Sequence, residues 1–380
     1  MTDLGIRAHR LGENEQRLRR QVREFLHDEL AAGAFVPRCD AWMTVADPAF
    51  SARLGAHGWL GMTLPHRYGG HGRSPLERFV VVEELLAAGA PVAAHWIADR
   101  QMAPSILRHG TEQQRHRYLP AIARGECFFA IGMSEPDAGS DLAAVRTRAR
   151  QTAAGWEITG TKLWTTGAHY AHAMVVLART DGVPADRHTG LSQLIVDLPH
   201  RGVTIRPIAG LDGEHHFNEV VFDHAVVPGD ALLGERGAGW QQVIAELAHE
   251  RSGPERFLST APLLTAWAGM VGDDPVQARE VGRLCARAWT LRQLSLAVAA
   301  SLSEGRSPEV EAALVKDLGS RFEGDVAETV RRVSGVEPRQ GAPGLPGLLA
   351  GAVLDSPAFT LRGGTNEVLR SVVARGLGVR

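Results

Sequence analysis

The hydrophobic period of this chain changes twice along its length, and that limits its folds more than any single motif does. From Glu13 to Ala32, apolar residues stand at Leu18, Val22, Phe25, Leu26 and Leu30, the spacing of one helix face. Leu76–Leu86 and Ile97–Leu107 repeat it, and Thr111-Glu112-Gln113-Gln114 reads as a helix start, with Thr111 capping and Gln114 reciprocating. Between 127 and 235 the runs become short and β-like: Trp156–Ile158, Met174–Leu177, Leu191–Val196, Val203–Ile205 and Val220–Phe222. Turns such as Asp181-Gly182 and Asp212-Gly213 part them. Helical spacing returns at Trp240, Val243, Ile244 and Leu247, and Pro254 should kink the chain just past Glu250. Further helical runs cover Pro275–Leu302, Pro308–Val333 and Pro346–Leu354, and a closing helix begins near Asn366. The chain therefore reads as α+β and multidomain: a helical domain over 1–126, an antiparallel β-barrel or sandwich over 127–235, and a helical bundle over 236–380. Its 380 residues fit two or three domains.

Charge and composition exclude several classes of partner. The net charge is −2 with no run of like charges, so neither nucleic acid nor an anionic membrane surface is expected. No apolar run approaches the ~18 residues of a membrane span, and the start carries no basic-then-apolar signal. The three cysteines, Cys39, Cys127 and Cys285, are too scattered for a disulfide framework, which points to a reducing cytoplasm. His215-His216 would face opposite ways on a strand and lack a supporting ligand cluster, so no metal is expected. Neither Gly69-Gly70-His71-Gly72 nor the glycines of 234–239 follow a strand, so a doubly wound dinucleotide fold is excluded.

Three stretches carry chemistry. In Ala130-Ile131-Gly132-Met133-Ser134-Glu135-Pro136-Asp137-Ala138-Gly139-Ser140-Asp141, Pro136 fixes φ and Gly139 lets backbone approach a ligand. Ser134 and Ser140 add hydroxyls, a combination suited to a polar, planar or phosphorylated cofactor, or equally to an ordinary Gly/Pro turn. In Thr159–Gly167, Trp164 stands two residues before Thr166, which on a strand sets an indole and a hydroxyl on one face. Arg362-Gly363-Gly364-Thr365-Asn366-Glu367-Val368-Leu369-Arg370 is a second glycine-hinged hydroxyl loop that leads into a helix.

With these stretches and Leu64-Pro65-His66-Arg67-Tyr68-Gly69-Gly70, the chain resembles the acyl-CoA dehydrogenase family of flavoproteins. The resemblance implies an N-terminal helical domain, a central β-domain and a C-terminal four-helix bundle, assembled as a homodimer or homotetramer. It implies non-covalent FAD and α,β-dehydrogenation of an acyl thioester, carried by CoA or acyl carrier protein, with an acceptor such as an electron-transfer flavoprotein. By position, Met133, Ser134, Gly139 and Ser140 would touch the cofactor, Ser134 at the flavin pyrimidine edge and Ser140 at the diphosphate. Trp164 would pack beside the isoalloxazine, Thr166 would bond near N5, and Thr365 and Glu367 would meet the nucleotide half. Arg251 and Gly363 would line the substrate.

Many members carry their base immediately before the Gly-Thr of the last loop, where this chain has Gly363. Isovaleryl- and long-chain-type members carry it on the helix before an Arg, which implies Glu250, followed here by Arg251. The family's Arg-x-x-Phe-Gly segment is absent, and its Gly-Gly-x-Gly loop is replaced by Val333-Ser334-Gly335-Val336-Glu337. A flavin-dependent oxidase or monooxygenase on the same fold, and a non-catalytic partner subunit, stand as alternatives.

Overall fold

A computed structural model describes residues 6–181, 186–251 and 253–379, without the side chains of 246–250. The chain forms two compact units, each discontinuous in sequence. One comprises Ala46–Gly72 and Ala93–Leu247, the other Met1–Val45, Arg73–Val92 and Ala248–Arg380.

The first unit is built on an eight-stranded sheet. Its strands are β1 (Phe129–Gly132), β2 (Arg148–Thr152), β3 (Gly155–Lys162), β4 (Ala173–Arg179), β5 (Leu191–Asp197), β6 (Val203–Ala209), β7 (His215–Val227) and β8 (Leu232–Leu233). The hydrogen-bonded order is β6-β7-β3-β2-β4-β5-β8, with β1 also joined to β4. The expected antiparallel barrel or sandwich is corrected to one mixed sheet that does not close into a barrel: β1 and β2 both pair with β4 in parallel. The physical reason is the connection. β1 reaches β4 only after the whole β2–β3 hairpin, a crossover long enough for parallel pairing. β4 is buried along its entire length. Met174 and Val176 join a core with Trp156, Ile158, Leu194, Val196 and Phe222. Val175 faces the other way, into a core with Met102, Ile106, Tyr118, Leu119 and Ile122. The period-2 alternation of a strand thus serves two cores, so its run is continuously apolar. The helix Glu112–Ala123 starts in the expected capping box of Thr111 and Gln114. Gln114 Nε2 then donates to the carbonyls of Asp230 and Leu232, tying the helix cap to the approach to β8.

The second unit is helical. Its main helices are Glu13–Ala31, Pro75–Ala87, Pro275–Ser303, Glu309–Val333, Leu345–Phe359 and Asn366–Gly376. Glu309–Val333 is flanked by Pro275–Ser303, Leu345–Phe359 and Asn366–Gly376. Phe257, Leu263, Trp267, Leu284, Phe322, Val326, Leu345 and Leu349 fill the core. Polar ties join the N-terminal helices to the rest: Glu83 accepts from both Arg19 and Arg292, and Glu84 from Arg23. The helix Gly239–Glu250 ends ahead of Pro254, and the chain resumes as a short 3₁₀ turn over Pro254–Arg256. Pro254 therefore stands at the break its ring requires. Among the described residues no helix is long and apolar enough to cross a membrane.

Candidate active site

The loop over 133–141 of the sheet unit is braced from beneath by a buried ion pair. Lys162, the last residue of β3, has no solvent exposure. Its ammonium donates to the Met133 carbonyl at 3.0 Å and to Glu135 Oε1 at 2.8 Å. The Glu135 carboxylate also accepts from the N–H groups of Arg146 (2.6 Å) and Thr147 (2.8 Å). Burial alone would raise the Glu135 pKa, but the Lys162 charge and these donors hold it below the usual carboxylate range. Burial pushes Lys162 the other way, down to about 8 against the pull of Glu135. The pair fixes where the loop leaves β1. Reciprocal backbone bonds between Glu135 and Ala138 (2.8 and 3.1 Å) then close a tight turn.

Above this brace stand the residues singled out from the sequence. The Ser134 carbonyl accepts the Leu163 N–H at 2.9 Å, joining the first motif to the second. Met133 packs partly buried against Ala138, Val145, Leu177, Leu191 and Val243. Gly139 and Ser140 are exposed, and nothing lies within 4 Å of the place a Cβ on Gly139 would take. Trp164 and Thr166 do not share a strand face, as their spacing implies they would, because β3 ends at Lys162. Trp164 instead adopts a left-handed φ of 58° and stands 57% exposed, edge-on to Phe217 at 5.7 Å. Thr165 turns inward, fully buried, with its backbone exchanging bonds with Asn218 (N–H to carbonyl 3.0 Å, Nδ2 to carbonyl 2.9 Å). The half-buried Thr166 follows, and the Gly167 N–H is held by the His216 carbonyl at 2.9 Å. His215 stacks on His169 and faces Asn218 Oδ1 with Nε2, so these imidazoles are engaged with one another and with an amide.

The helical unit presents the third motif. Gly363 and Gly364 both take positive φ, 66° and 88°. A Cβ on Gly363 would meet the Arg256 guanidinium at 3.0–3.2 Å, and one on Gly364 would meet Arg251 Nη2 at 3.0 Å. Arg251 Nε donates to the Gly363 carbonyl at 3.2 Å. Glu250 is the last residue of its helix, and its side chain lies outside the described residues. Arg362 pairs with Asp40 and donates to Ser259 Oγ at 3.0 Å, its guanidinium 4.6 Å from the Trp42 ring. Glu323 stands 3.8 Å from Arg362 and accepts the Ser259 N–H at 2.8 Å. Burial raises Glu323 to about 7 despite Arg362. Thr365 caps the helix Asn366–Gly376 and Glu367 lies exposed in its first turn.

Sequence reading misses the supports: Lys162–Glu135, Arg256, and Asp40 with Glu323 around Arg362. Lys162 and Glu135 each sit beside a recognised motif residue. Their separation of 27 positions along the chain hides the pairing. An exposed indole on a constrained turn, hydroxyls either side of a tight loop, and open backbone at Gly139 fit a flat polar group. On an α+β scaffold, that combination is compatible with a bound planar cofactor.

Family models agree along the length. The acyl-CoA dehydrogenase N-terminal domain matches residues 12–126, the middle domain 130–225 and the C-terminal domain 237–378. IpdE1, an acyl-CoA dehydrogenase of Mycobacterium tuberculosis, is 33% identical over 97% of this chain and 98% of its own. FadE34 of the same organism is 34% identical over 83% of this chain, which spans 44% of that longer protein. A solved structure titled Tcur3481-Tcur3483 steroid ACAD superposes with a TM-score of 0.87 at 29% identity, covering both chains fully. The chain belongs to the acyl-CoA dehydrogenase family, FAD oxidoreductases that dehydrogenate acyl-CoA thioesters.

Proposed function

We propose that this chain dehydrogenates an acyl-CoA with Glu250 as the base that takes the C2 proton. One observation carries the assignment: the Arg251 Nε bond to the Gly363 carbonyl, 3.2 Å, ties the residue after Glu250 to the loop where other members hold their acid. Gly363 supplies no acid of its own, and the position over it belongs to Arg256. Within the sheet unit, Met133, Ser134, Gly139, Ser140, Trp164 and Thr166 are the FAD contacts; within the helical unit, Thr365 and Glu367 are contacts for a nucleotide half. When bound, FAD supplies a hydride acceptor for the substrate C3. Arg251 and the glycine backbone at 363–364 orient the thioester, and donors near its carbonyl stabilise developing enolate charge.

Glu250→Gln tests this. It should keep FAD and slow flavin reduction by an acyl-CoA by about 100- to 10,000-fold, the usual worth of a positioned base. Near-normal reduction removes Glu250 from the mechanism.

The remaining assignments are three domains at the boundaries read from the sequence, a four-helix C-terminal bundle, a cytoplasmic protein, an electron-transfer flavoprotein as acceptor, and a homodimer or homotetramer. Supporting self-assembly, Trp289 on the long helix Pro275–Ser303 is 61% exposed and Met270 65%. Sedimentation of the FAD-loaded chain measures it. A monomer that holds no FAD points instead to assembly with a different chain, as in the solved ChsE4-ChsE5 complex from Mycobacterium tuberculosis.

A further inference from the structure

The loop over 360–366 is gripped from one turn of the helix Glu309–Val333, through a single amide. Asn366, the first residue of the closing helix, is 2% exposed. Its Oδ1 accepts from Lys316 Nζ at 2.8 Å and Ser320 Oγ at 3.1 Å, and its Nδ2 donates to the Asp317 carbonyl at 3.3 Å. Lys316 Nζ also donates to the Thr360 carbonyl at 3.4 Å, the same carbonyl that accepts the Asn366 N–H at 3.2 Å. Both ends of the loop therefore converge on one ammonium.

Lys316 has no solvent exposure. Among the described residues no carboxylate bonds it: its two hydrogen-bond partners there are an amide oxygen and a backbone carbonyl. Burying an ammonium on neutral partners is unfavourable in a protein interior. Arg256, Arg362 and Arg251 add repulsion, with Glu323 opposing them. An apolar residue of similar length would fill the space without that penalty. What it could not do is hold Asn366 and Thr360 together, and with them the chain between.

We propose that Lys316 is a positioning residue for the dehydrogenation, setting through Asn366 the loop that carries Gly363, Gly364 and Thr365. The proposal rests on the reading that this loop meets FAD and substrate. Lys316 touches neither. It fixes the two anchors, and the glycines between them have no side chains of their own with which to define a path.

The test titrates apoprotein with FAD, following quenching of flavin fluorescence, and measures flavin reduction by an acyl-CoA separately. Thr365→Ala should weaken FAD binding about 5-fold or more. Lys316→Met should weaken it about 10-fold and slow reduction as well. Asn366→Asp, which still accepts from Lys316 and Ser320, should stay within about 3-fold of the parent, whereas Asn366→Ala should match Lys316→Met. Because Lys316 and Thr365 act through one loop, the double variant should bind no more than about 2-fold more weakly than Lys316→Met alone. Unchanged affinity in Thr365→Ala overturns the reading of the loop. A weakened Thr365→Ala beside an unchanged Lys316→Met overturns the positioning role, as does a double variant whose losses simply multiply. Should Lys316→Met not fold, Asn366→Ala against Asn366→Asp decides the question: equal losses overturn it.

Discussion

Two buried lysines brace the two motif loops, and they are braced differently themselves. Lys162 meets a carboxylate, Glu135, that is satisfied by two further N–H donors. Lys316 meets an amide and a carbonyl, and its nearest charges are mainly other cations. The first is a closed charge pair in which each partner needs the other. The second is a cation held on neutral partners with guanidiniums opposing it, which leaves its clamp only weakly committed to the charged form. One loop has a fixed foundation, the other an adjustable one.

The largest effect that would break this contrast concerns Gly363. If the site merely lacked an acid there, Gly363→Glu would restore activity to Glu250→Gln. We expect no recovery: a side chain at φ 66° is strained, and its first carbon would stand 3.0 Å from Arg256, which would capture the carboxylate. Flavin reduction by the double variant measures it, and recovery above the Glu250→Gln rate would show that the guanidiniums do not dominate the loop.

Next comes stability. Lys162→Met leaves Glu135 buried and unpaired, which should cost about 3–5 kcal/mol in denaturant unfolding. Lys316→Met removes a cation from among cations, which offsets the hydrogen bonds it forfeits, so stability should change by no more than about 1 kcal/mol. Equal losses in the two variants would erase the distinction.

A smaller effect separates the two by pH. Burial, with Arg256 and Arg362 adding to it, pushes Lys316 down to about 7 from an ordinary 10.5. Across that window the unfolded chain holds a proton the folded chain lacks, so this group makes stability rise with pH. Lys162, at about 8, acts in the same direction over a narrower window. Glu323 acts oppositely: raised from 4.5 to about 7, it holds an extra proton when folded, a contribution lost as pH climbs through 7. Urea melts of Glu323→Gln should therefore lose a downward slope between pH 4.5 and 7, and Lys316→Met an upward slope between 7 and 10.5.

The smallest expected change is at Trp164. The indole is 57% exposed and touches only Phe217 edge-on among the described aromatic contacts, so Trp164→Phe should move stability by less than about 0.5 kcal/mol. Its fluorescence should be quenched when FAD binds to apoprotein. No quenching would detach the ring from the cofactor.

Legibility in the sequence tracks the physics of each signal. Helix starts with side-chain caps, such as Thr111 with Gln114, are local and can be read directly. So can runs like Met174–Leu177, since burial on both faces leaves a continuous apolar stretch. β2, Arg148–Thr152, cannot: only Ala149 is buried there, and a strand with one apolar residue has no period to detect. Parallel pairing of β1 with β4 escapes for another reason, since nothing in either strand encodes direction. Among the site residues, the hydroxyls and Trp164 announce themselves as unusual types in a turn. Lys162, Lys316 and Arg256 look like ordinary surface charges, because burial is a property of the whole fold.

The φ of 58° at Trp164 bears on how this protein would respond to selection. A bulky residue in the left-handed region is disfavoured by roughly 1–2 kcal/mol, which glycine would relieve. A library screened for heat resistance alone should therefore enrich glycine at this position, and its hardiest survivors would have lost their ring.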